Sequence, residues 1–400
     1  MTAPKLHFKE FDEDWSKITL GDYSETITSG SRDWAQYYSD SGDKFIRMTN
    51  LVRDGIHLDL SDLKFVKLPD DSNEGKRTNL KSGDILISIT AELGKLGWIP
   101  DGLGTAYINQ HTALVRMKEI CDSKFIAYGL STEKYNNKLN SLNDSGAKAG
   151  LNLGTIRNFE VIIPSKKEQT KIASFLSAVD EKISQLSQKL HLLSQYKQGM
   201  MQKLFSQQIR FKADDGSEFG EWEEKELKDV VEINPKAKKL PENFIYIDLE
   251  SVEKGRLLLQ KHIELQDAPS RAQRLLAKGD VLFQMVRPYQ QNNYYFNLSG
   301  EYVASTGYAQ IRTKLDSKFI YYALHEKTFL DEVMNRCTGT SYPAINSSDL
   351  SSIEILIPCL EEQTKIADFL SAIDQKIDVV SEQLEQAKLW KKGLLQQMFV

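Results

Sequence analysis

The sequence predicts two homologous mixed α/β (α+β) domains joined by two long α-helices that pair as an antiparallel coiled coil with pseudo-two-fold symmetry. Three observations predict it. A segment beginning at Ile163-Pro164 recurs without a gap at Ile357-Pro358. Weaker matches continue upstream of both copies. Within each copy, apolar residues alternate by fours and threes along the length of a long helix.

The repeat sets the domain organisation. Both copies read Glu-Gln-Thr-Lys-Ile-Ala-x-Phe-Leu-Ser-Ala-[Val/Ile]-Asp-x-Lys-Ile, from Glu168 and from Glu362. About half of the positions from Ile163 to Phe205 are identical to those from Ile357 to Phe399. Upstream, Ser123–Leu130 matches Ser317–Leu324 and Leu80–Leu86 matches Leu276–Leu282. Phe45-Ile-Arg-Met48 before Gly55 resembles Tyr246-Ile-Asp-Leu249 before Gly255, and Gly146 and Gly339 each open a short loop. The chain therefore divides into a variable domain (1–160), a central constant helix with its linker (161–215), a second variable domain (216–355) and a C-terminal constant helix (356–400).

The constant segments carry a coiled-coil seam of a and d positions: Ile172, Leu176, Val179, Ile183, Leu186, Leu190 and Leu193 in the first, Ile366, Leu370, Ile373, Ile377, Val380, Leu384 and Ala387 in the second. A lysine interrupts both seams at the same place, Lys197 and Lys391, before they resume at Met200/Leu204 and Leu394/Met398. A polar seam residue fixes register at a cost in stability, or marks a shared partner. Pro164 keeps its predecessor out of a helix, and Ser165-Lys-Lys-Glu168 reads as a capping box. The second copy, Cys359-Leu-Glu-Glu362, keeps only the glutamate. A helix of ~40 residues is ~60 Å long and cannot leave an apolar stripe of that length in water. The nearest partner is the other copy. The pair can run parallel or antiparallel; antiparallel is favoured because it does not crowd both variable domains at one end.

The variable domains alternate short strands with short helices. Phe45–Met48 and Ile56–Leu58 flank Asp54-Gly55, a hairpin signal. Strands are expected at Ile85–Ile89 and Val281–Val286, after the Gly-Asp turns at 83–84 and 279–280. Helices are expected at Lys124–Leu130 and Lys318–Leu324, each followed by a second. The polar segments between them are rich in side chains able to read base edges. The second domain offers Arg287, Tyr289, Gln290, Gln291, Asn292 and Asn293, then Thr340, Ser341 and Tyr342. The first offers Arg47 and Asn50, then Asn109, Gln110 and Thr112, then Lys148 and Asn152. Arginine pairs bidentately with guanine and asparagine or glutamine with adenine, while tyrosines stack or touch phosphate. Any one of these is an ordinary solvated loop residue; the signal is their recurrence in corresponding places of two related domains.

Composition narrows the function. The net charge of the 400-residue chain is −5, which counts against a simple phosphate-binding protein. Only 161–215 is net positive, so local patches or a partner must supply positive field. No apolar run approaches the ~18 residues that cross a bilayer. The polar stretch Met1–Asp14 is no secretion signal, so a cytoplasmic location is expected. Cys121, Cys337 and Cys359 lie too far apart for a disulfide framework or a zinc site. There is no phosphate loop, and Gly102-Leu-Gly104 is too short for a cofactor fingerprint. Asn234-Pro235-Lys236-Ala237 lacks the second proline and the aromatic of a base-flipping adenine methylase. Pro69-Asp70 with Glu74-Gly-Lys76 echoes a nuclease set, with too few residues between its acids. The six histidines form no ligand or triad spacing. A non-catalytic chain with no metal or cofactor of its own is expected.

Two variable domains, each followed by Ile-Pro-x3-Glu-Gln-x-Lys-Ile-Ala-x-Phe-Leu-Ser and a long helix, resemble the specificity subunits of type I restriction–modification systems over essentially the whole chain. The Gly-Asp-[Ile/Val]-Leu strands and the Gly146 and Gly339 loops also look like that family; the cap at Cys359 departs from it. The resemblance implies that each domain reads one half of a gapped target in double-stranded DNA. It implies that the helices set the gap and dock two modification subunits. S-adenosylmethionine, ATP and Mg would then belong to those methyltransferase partners and to motor–nuclease restriction subunits, in a bacterial cytoplasm. The residues alone leave two alternatives: a coiled-coil scaffold with two protein-binding α/β domains, and a self-sufficient nuclease–methylase, which the missing motifs disfavour.

Overall fold

Short apolar strands build the same set of sheets twice. The computed structural model describes residues 4–69, 72, 74–142, 150–237 and 239–399. The chain forms two compact units, Met1–Leu186 with Gln383–Val400, and Ser187–Glu382. Each unit thus combines one variable domain with parts of both long helices.

In the first unit an antiparallel sheet runs in the order Ser24–Ser29, Thr112–Met117, Ile85–Ser88, Leu96–Trp98. A second sheet runs Tyr38–Ser39, Lys64–Val66, Asp43–Ile46, Ala106–Ile108, and its last pair is parallel. Ser16–Thr19 pairs with Glu160–Ile163 beside the start of the central helix. The second unit repeats this plan, except that the fourth strand of its second sheet joins the opposite edge. Val231–Ile233, Tyr308–Thr313, Val281–Gln284 and Tyr294–Tyr295 form one sheet. Lys261–Glu264, Asn243–Ile247, Tyr302–Ser305 and Ala272–Leu275 form the other, again with one parallel pair. Glu223–Glu226 pairs with Glu354–Ile357.

The hairpin expected at 45–58 does not form. Asp43–Ile46 pairs instead with Lys64–Val66 and Ala106–Ile108, and Met48–Asn50 is a 3-10 turn. The longer connections win because they let this strand sit inside a sheet, which a local hairpin at Gly55 would not.

The recurrent Gly-Asp turn has a structural purpose. Asp84 is buried, accepts the Lys81 backbone N–H at 2.7 Å and takes the Arg116 guanidinium on both oxygens at 2.7 Å. Asp280 does the same with Ala277 N–H and with Arg312 at 2.7 and 2.8 Å. A buried carboxylate is tolerated only when its lone pairs are filled in this way.

The long helices span Lys166–Phe205 and Leu360–Met398. Within the first unit Phe175 packs on Trp390, and Ile172, Leu176 and Val179 share a core with Leu394 and Met398. Within the second, Lys197 meets Asp374, and Leu204 shares a core with Ile366, Leu370 and Ile373. Early residues of one helix meet late residues of the other in both units, so the pair is antiparallel. Of the seam positions, Leu186, Val380 and Leu384 are buried, while Ile183, Leu190, Leu193, Ile377 and Ala387 are half-buried. Burying a leucine such as Leu176 or Leu370 contributes roughly 1.5–3 kcal/mol.

Each seam lysine closes a small polar network. Lys391 pairs with Asp180, which also accepts the Tyr128 hydroxyl at 2.7 Å and the His57 ring at 2.9 Å. Lys197 lies 2.6 Å from Asp374, which accepts the Tyr322 hydroxyl at 2.7 Å. Burial works to raise the Asp180 pKa, but hydrogen bonds from His57, Lys391 and Tyr128 outweigh it and hold it at about 2. Both aspartates come from the repeated Ala-[Val/Ile]-Asp, and both tyrosines from the repeated helix after Asp122 or Asp316.

Candidate nucleic-acid interface

The Glu-Gln-Thr-Lys box explains how each variable domain is held. Asp122 and Asp316 cap short helices, Ser123–Ser131 and Ser317–Ala323. The Gln169 amide oxygen accepts the Asp122 N–H at 2.9 Å while its nitrogen donates to the Pro164 carbonyl at 2.8 Å. Gln363 repeats both bonds with Asp316 and Pro358 at 3.2 and 2.8 Å. Thr170 and Thr364 donate to the same capping aspartates. The expected capping box at Ser165 is replaced: Glu168 is buried and takes the Trp15 indole instead of turning back to its own backbone. Glu362 takes the Trp222 indole at 3.1 Å and Arg210 bidentately at 3.1 and 2.7 Å. Trp15 and Trp222 sit far upstream at unequal spacing, so no local pattern marked them.

In the second unit two predicted segments converge. Arg287 N–H donates to the Pro343 carbonyl at 2.7 Å, and Ile345 N–H to the Met285 carbonyl at 3.0 Å. The Arg287 guanidinium lies over the Tyr342 ring, 4.2 Å from its centroid. Around it Tyr289, Gln290, Thr340, Ser341 and Tyr342 are exposed. Arg287 has φ 54°, the left-handed region that costs a side-chain-bearing residue energy. Gln291, at φ 50°, donates to the His325 carbonyl at 3.4 Å.

The neighbouring amides form the floor of this surface. Asn293 is buried, accepting the Gln284 N–H at 2.8 Å and facing His325 Nε2 at 3.4 Å. Burial pulls the His325 pKa down to about 4, so the ring is neutral and its Nδ1 donates to the Tyr321 carbonyl at 2.7 Å. Asn292 accepts the Lys254 N–H at 3.0 Å. Asn293 therefore braces the loop from inside, while Asn292 holds Lys254 and stays half-buried. Gln284, which the sequence did not single out, is the hub: it is 2 % exposed and bonds Gln290, Asn292 and Asn293. Its only signal is polarity inside the apolar run 281–286.

The first unit has the same scaffold with other side chains. Thr90 bridges Gly150 and Leu151 N–H donates to the Ile89 carbonyl at 2.9 Å, matching the bridge of Val286 to Ala344. The counterpart of Arg287 is Ala91, at φ 56°. Lys148 and Gly146 lie outside the described residues, as does Asp70 of the nuclease-like set. Asn152 caps the helix Leu153–Arg157. Asn50 is buried, serving Arg47 N–H and the Asp59 carbonyl, and Arg47 is engaged by Asp62 at 2.7 Å. Thr112 is buried in its strand. These three are corrected from base-reading candidates to structural residues, because backbone groups and Asp62 already claim their polar atoms or the core encloses them. Asn109 accepts the His111 N–H at 3.1 Å and Gln110 pairs with the His111 ring at 3.0 Å; both stay half-buried at the turn. Asn234 of the methylase-like tetrapeptide is spent on Ser347 and on Gln310 N–H. Among the described residues no cluster of His, Cys, Asp or Glu could hold a metal, and no helix is long and apolar enough to cross a membrane.

The model of the type I restriction modification DNA specificity domain matches residues 12–194 and again 220–389. The chain belongs to that family. It carries the specificity domain twice, as the type I restriction–modification specificity subunits do, and its role is DNA specificity. It is 25% identical to the type I restriction enzyme MjaVIII specificity subunit of Methanocaldococcus jannaschii, over 98% of this chain and 93% of that one. It is also 25% identical to the EcoDI specificity subunit of Escherichia coli, over 58% of this chain and 59% of that one. The crystal structure of the type I specificity subunit from M. genitalium has the same fold, with a TM-score of 0.65 at 16% identity, covering 100% of this chain and 99% of that one.

Proposed function

We propose that each unit of this specificity subunit reads one half of a bipartite, gapped DNA target, and that the paired helices set the gap and dock two modification subunits. The carrying observation is the recurrence of one loop scaffold in both units, with Arg287 in one copy and Ala91 in the other at the same left-handed backbone position. Equal scaffolds with unequal side chains are what two readers of different half-sites need. Sequence is read by side chains at base edges, whereas phosphate contacts only position the protein. The chain is non-catalytic in this reading. Methyl transfer with S-adenosylmethionine, and ATP- and Mg-dependent cleavage, belong to the modification and restriction subunits, which also share the phosphate contacts with this chain of net charge −5. The assembly works on double-stranded DNA in the bacterial cytoplasm. Methylation-sensitive sequencing of DNA from cells carrying this chain and its modification partner tests the proposal. A gapped two-part motif is expected; methylation without such a motif refutes it.

A further inference from the structure

We propose that the second unit reads a guanine with Arg287, and that Gln284 turns the neighbouring Gln290 so that only its amide NH2 faces the DNA. The inference rests on the DNA-reading role proposed above and adds the chemistry of one half-site.

A backbone N–H can only donate, and one of them fixes the Gln284 amide. Asn292 N–H donates to the Gln284 side chain at 3.0 Å, so the atom of Gln284 that faces it is the oxygen, Oε1. The other end of the Gln284 amide is therefore Nε2, a donor, and it lies 2.9 Å from the Gln290 side chain. Gln290 must answer with its own Oε1. Gln284 is 2 % exposed and its backbone N–H is held by the Asn293 side chain at 2.8 Å, so it is fixed in place. Gln290 is exposed, and with its oxygen drawn in to Gln284 the end it turns outward is Nε2, with its two hydrogens.

Arg287 beside it is also a donor only. Its backbone is tied to Pro343, its guanidinium rests on the Tyr342 ring, and no carboxylate among the described residues pairs with it. An arginine engaged by an acid, as Arg47 is by Asp62, is not free to read a base. Arg287 sits over the Tyr342 ring with its Nε buried, which leaves the two terminal nitrogens as its donors to a base. Guanine alone presents two acceptors, N7 and O6, on its major-groove edge, and arginine matches them bidentately. Bidentate pairing with adenine needs a donor and an acceptor from one amide. With its oxygen turned in to Gln284, Gln290 leads with its NH2, so it selects a base with an acceptor there, guanine, thymine through O4 or adenine through N7, against cytosine, whose major-groove edge offers only a donor.

The test uses the full chain assembled with its modification partners and a randomised duplex pool. Bound duplexes are selected and sequenced for the wild type, R287A, R287K and Q284E. The expected wild-type motif has a fixed guanine in the half-site assigned to the second unit. R287A and R287K should both relax that one position, with affinity for the guanine-containing target falling about ten- to a hundred-fold. Q284E is the sharper arm. A glutamate at 284 still accepts from Asn292 N–H but cannot donate to Gln290, which must then turn its NH2 inward and its oxygen outward. The position read by Gln290 should then lose guanine and thymine and gain cytosine, while adenine, with N7 accepting and N6 donating, is compatible with both. A gapped motif whose second half lacks guanine, R287A weakening all sequences equally, or Q284E binding with an unchanged motif each overturn the inference and leave the two-reader function standing. A pool that yields no two-part motif at all overturns the function itself.

Discussion

Lys197 Nζ lies 2.6 Å from an Asp374 oxygen at the point where the apolar seam is interrupted, and Tyr322 donates to the same carboxylate. The charge in the seam is thus matched from the facing helix and from the recognition domain together. Lys391, Asp180 and Tyr128 repeat the arrangement with less exposure: the Lys391 and Asp180 side chains are 14% and 9% exposed, against 23% and 32% for Lys197 and Asp374.

Because breaking an enclosed ion pair leaves an uncompensated charge, K391M should destabilise the chain by about 2–4 kcal/mol. The more open K197M should cost about 1–2 kcal/mol. Adding D180N to K391M should recover part of the loss. Urea unfolding of the three variants measures the order; equal losses for the two lysines would contradict it.

Asp180 also predicts an acid limb. Its folded pKa, about 2, is below the usual aspartate value near 4, so its contribution is complete above the unfolded value and lost as pH falls through the folded one. The stability difference between wild type and D180N should be constant above about pH 5. It should shrink by roughly 2 kcal/mol between about pH 4 and pH 2. Urea titrations at stepped pH follow it, and a difference that grows on acidification would reverse the sign.

Asp280 holds Arg312, Gln310 and the Ala277 N–H together inside the second unit. D280A should destabilise by about 1–3 kcal/mol, because it removes the buried acceptor of the Ala277 N–H and the Gln310 amide and releases the partly exposed Arg312. Limited proteolysis should then cut within 231–313 first. The D84A counterpart should expose 24–117, and matching cleavage patterns for the two variants would show that the ion pairs are not local staples.

Four residues inserted after Leu186 would turn the downstream seam out of register and lengthen the helix. A changed gap between half-sites, or loss of assembly, is expected by methylation-sensitive sequencing. An unchanged target and gap would remove the helices' measuring role.

The sequence disclosed those parts of the fold whose physics is periodic or duplicated. The 4–3 spacing from Ile172 to Leu193 marked the seam, and the shared Lys197 and Lys391 marked its interruption. What the lysines meet was not legible, because Asp180 and Asp374 read as ordinary solvent-facing charges and the tyrosines lie about fifty residues upstream of them. The misplaced hairpin at Gly55 has the same origin: Asp43–Ile46 takes partners from far along the chain, one of them parallel. In the candidate interface the residue types were right more often than their roles. Asn50 and Asn293 carry the same amide as Gln290, and Thr112 a hydroxyl that could also meet a base, yet only burial and backbone demand separate a loop brace from a surface reader. The convergence of Arg287 with Tyr342 depends on the bridge between Val286 and Ala344, which no local signal announces.

The knuckle at Ala91 and Arg287 bears on how such a protein acquires new targets. The strain of the left-handed backbone is carried by the surrounding bridge in both copies, whether the side chain there is a methyl group or a guanidinium. Exchanging that side chain alters what is offered to DNA without asking the backbone to refold. Retargeting one half-site is then a matter of swapping a few tips on a settled frame, while the Glu-Gln-Thr-Lys anchorage beneath is left alone.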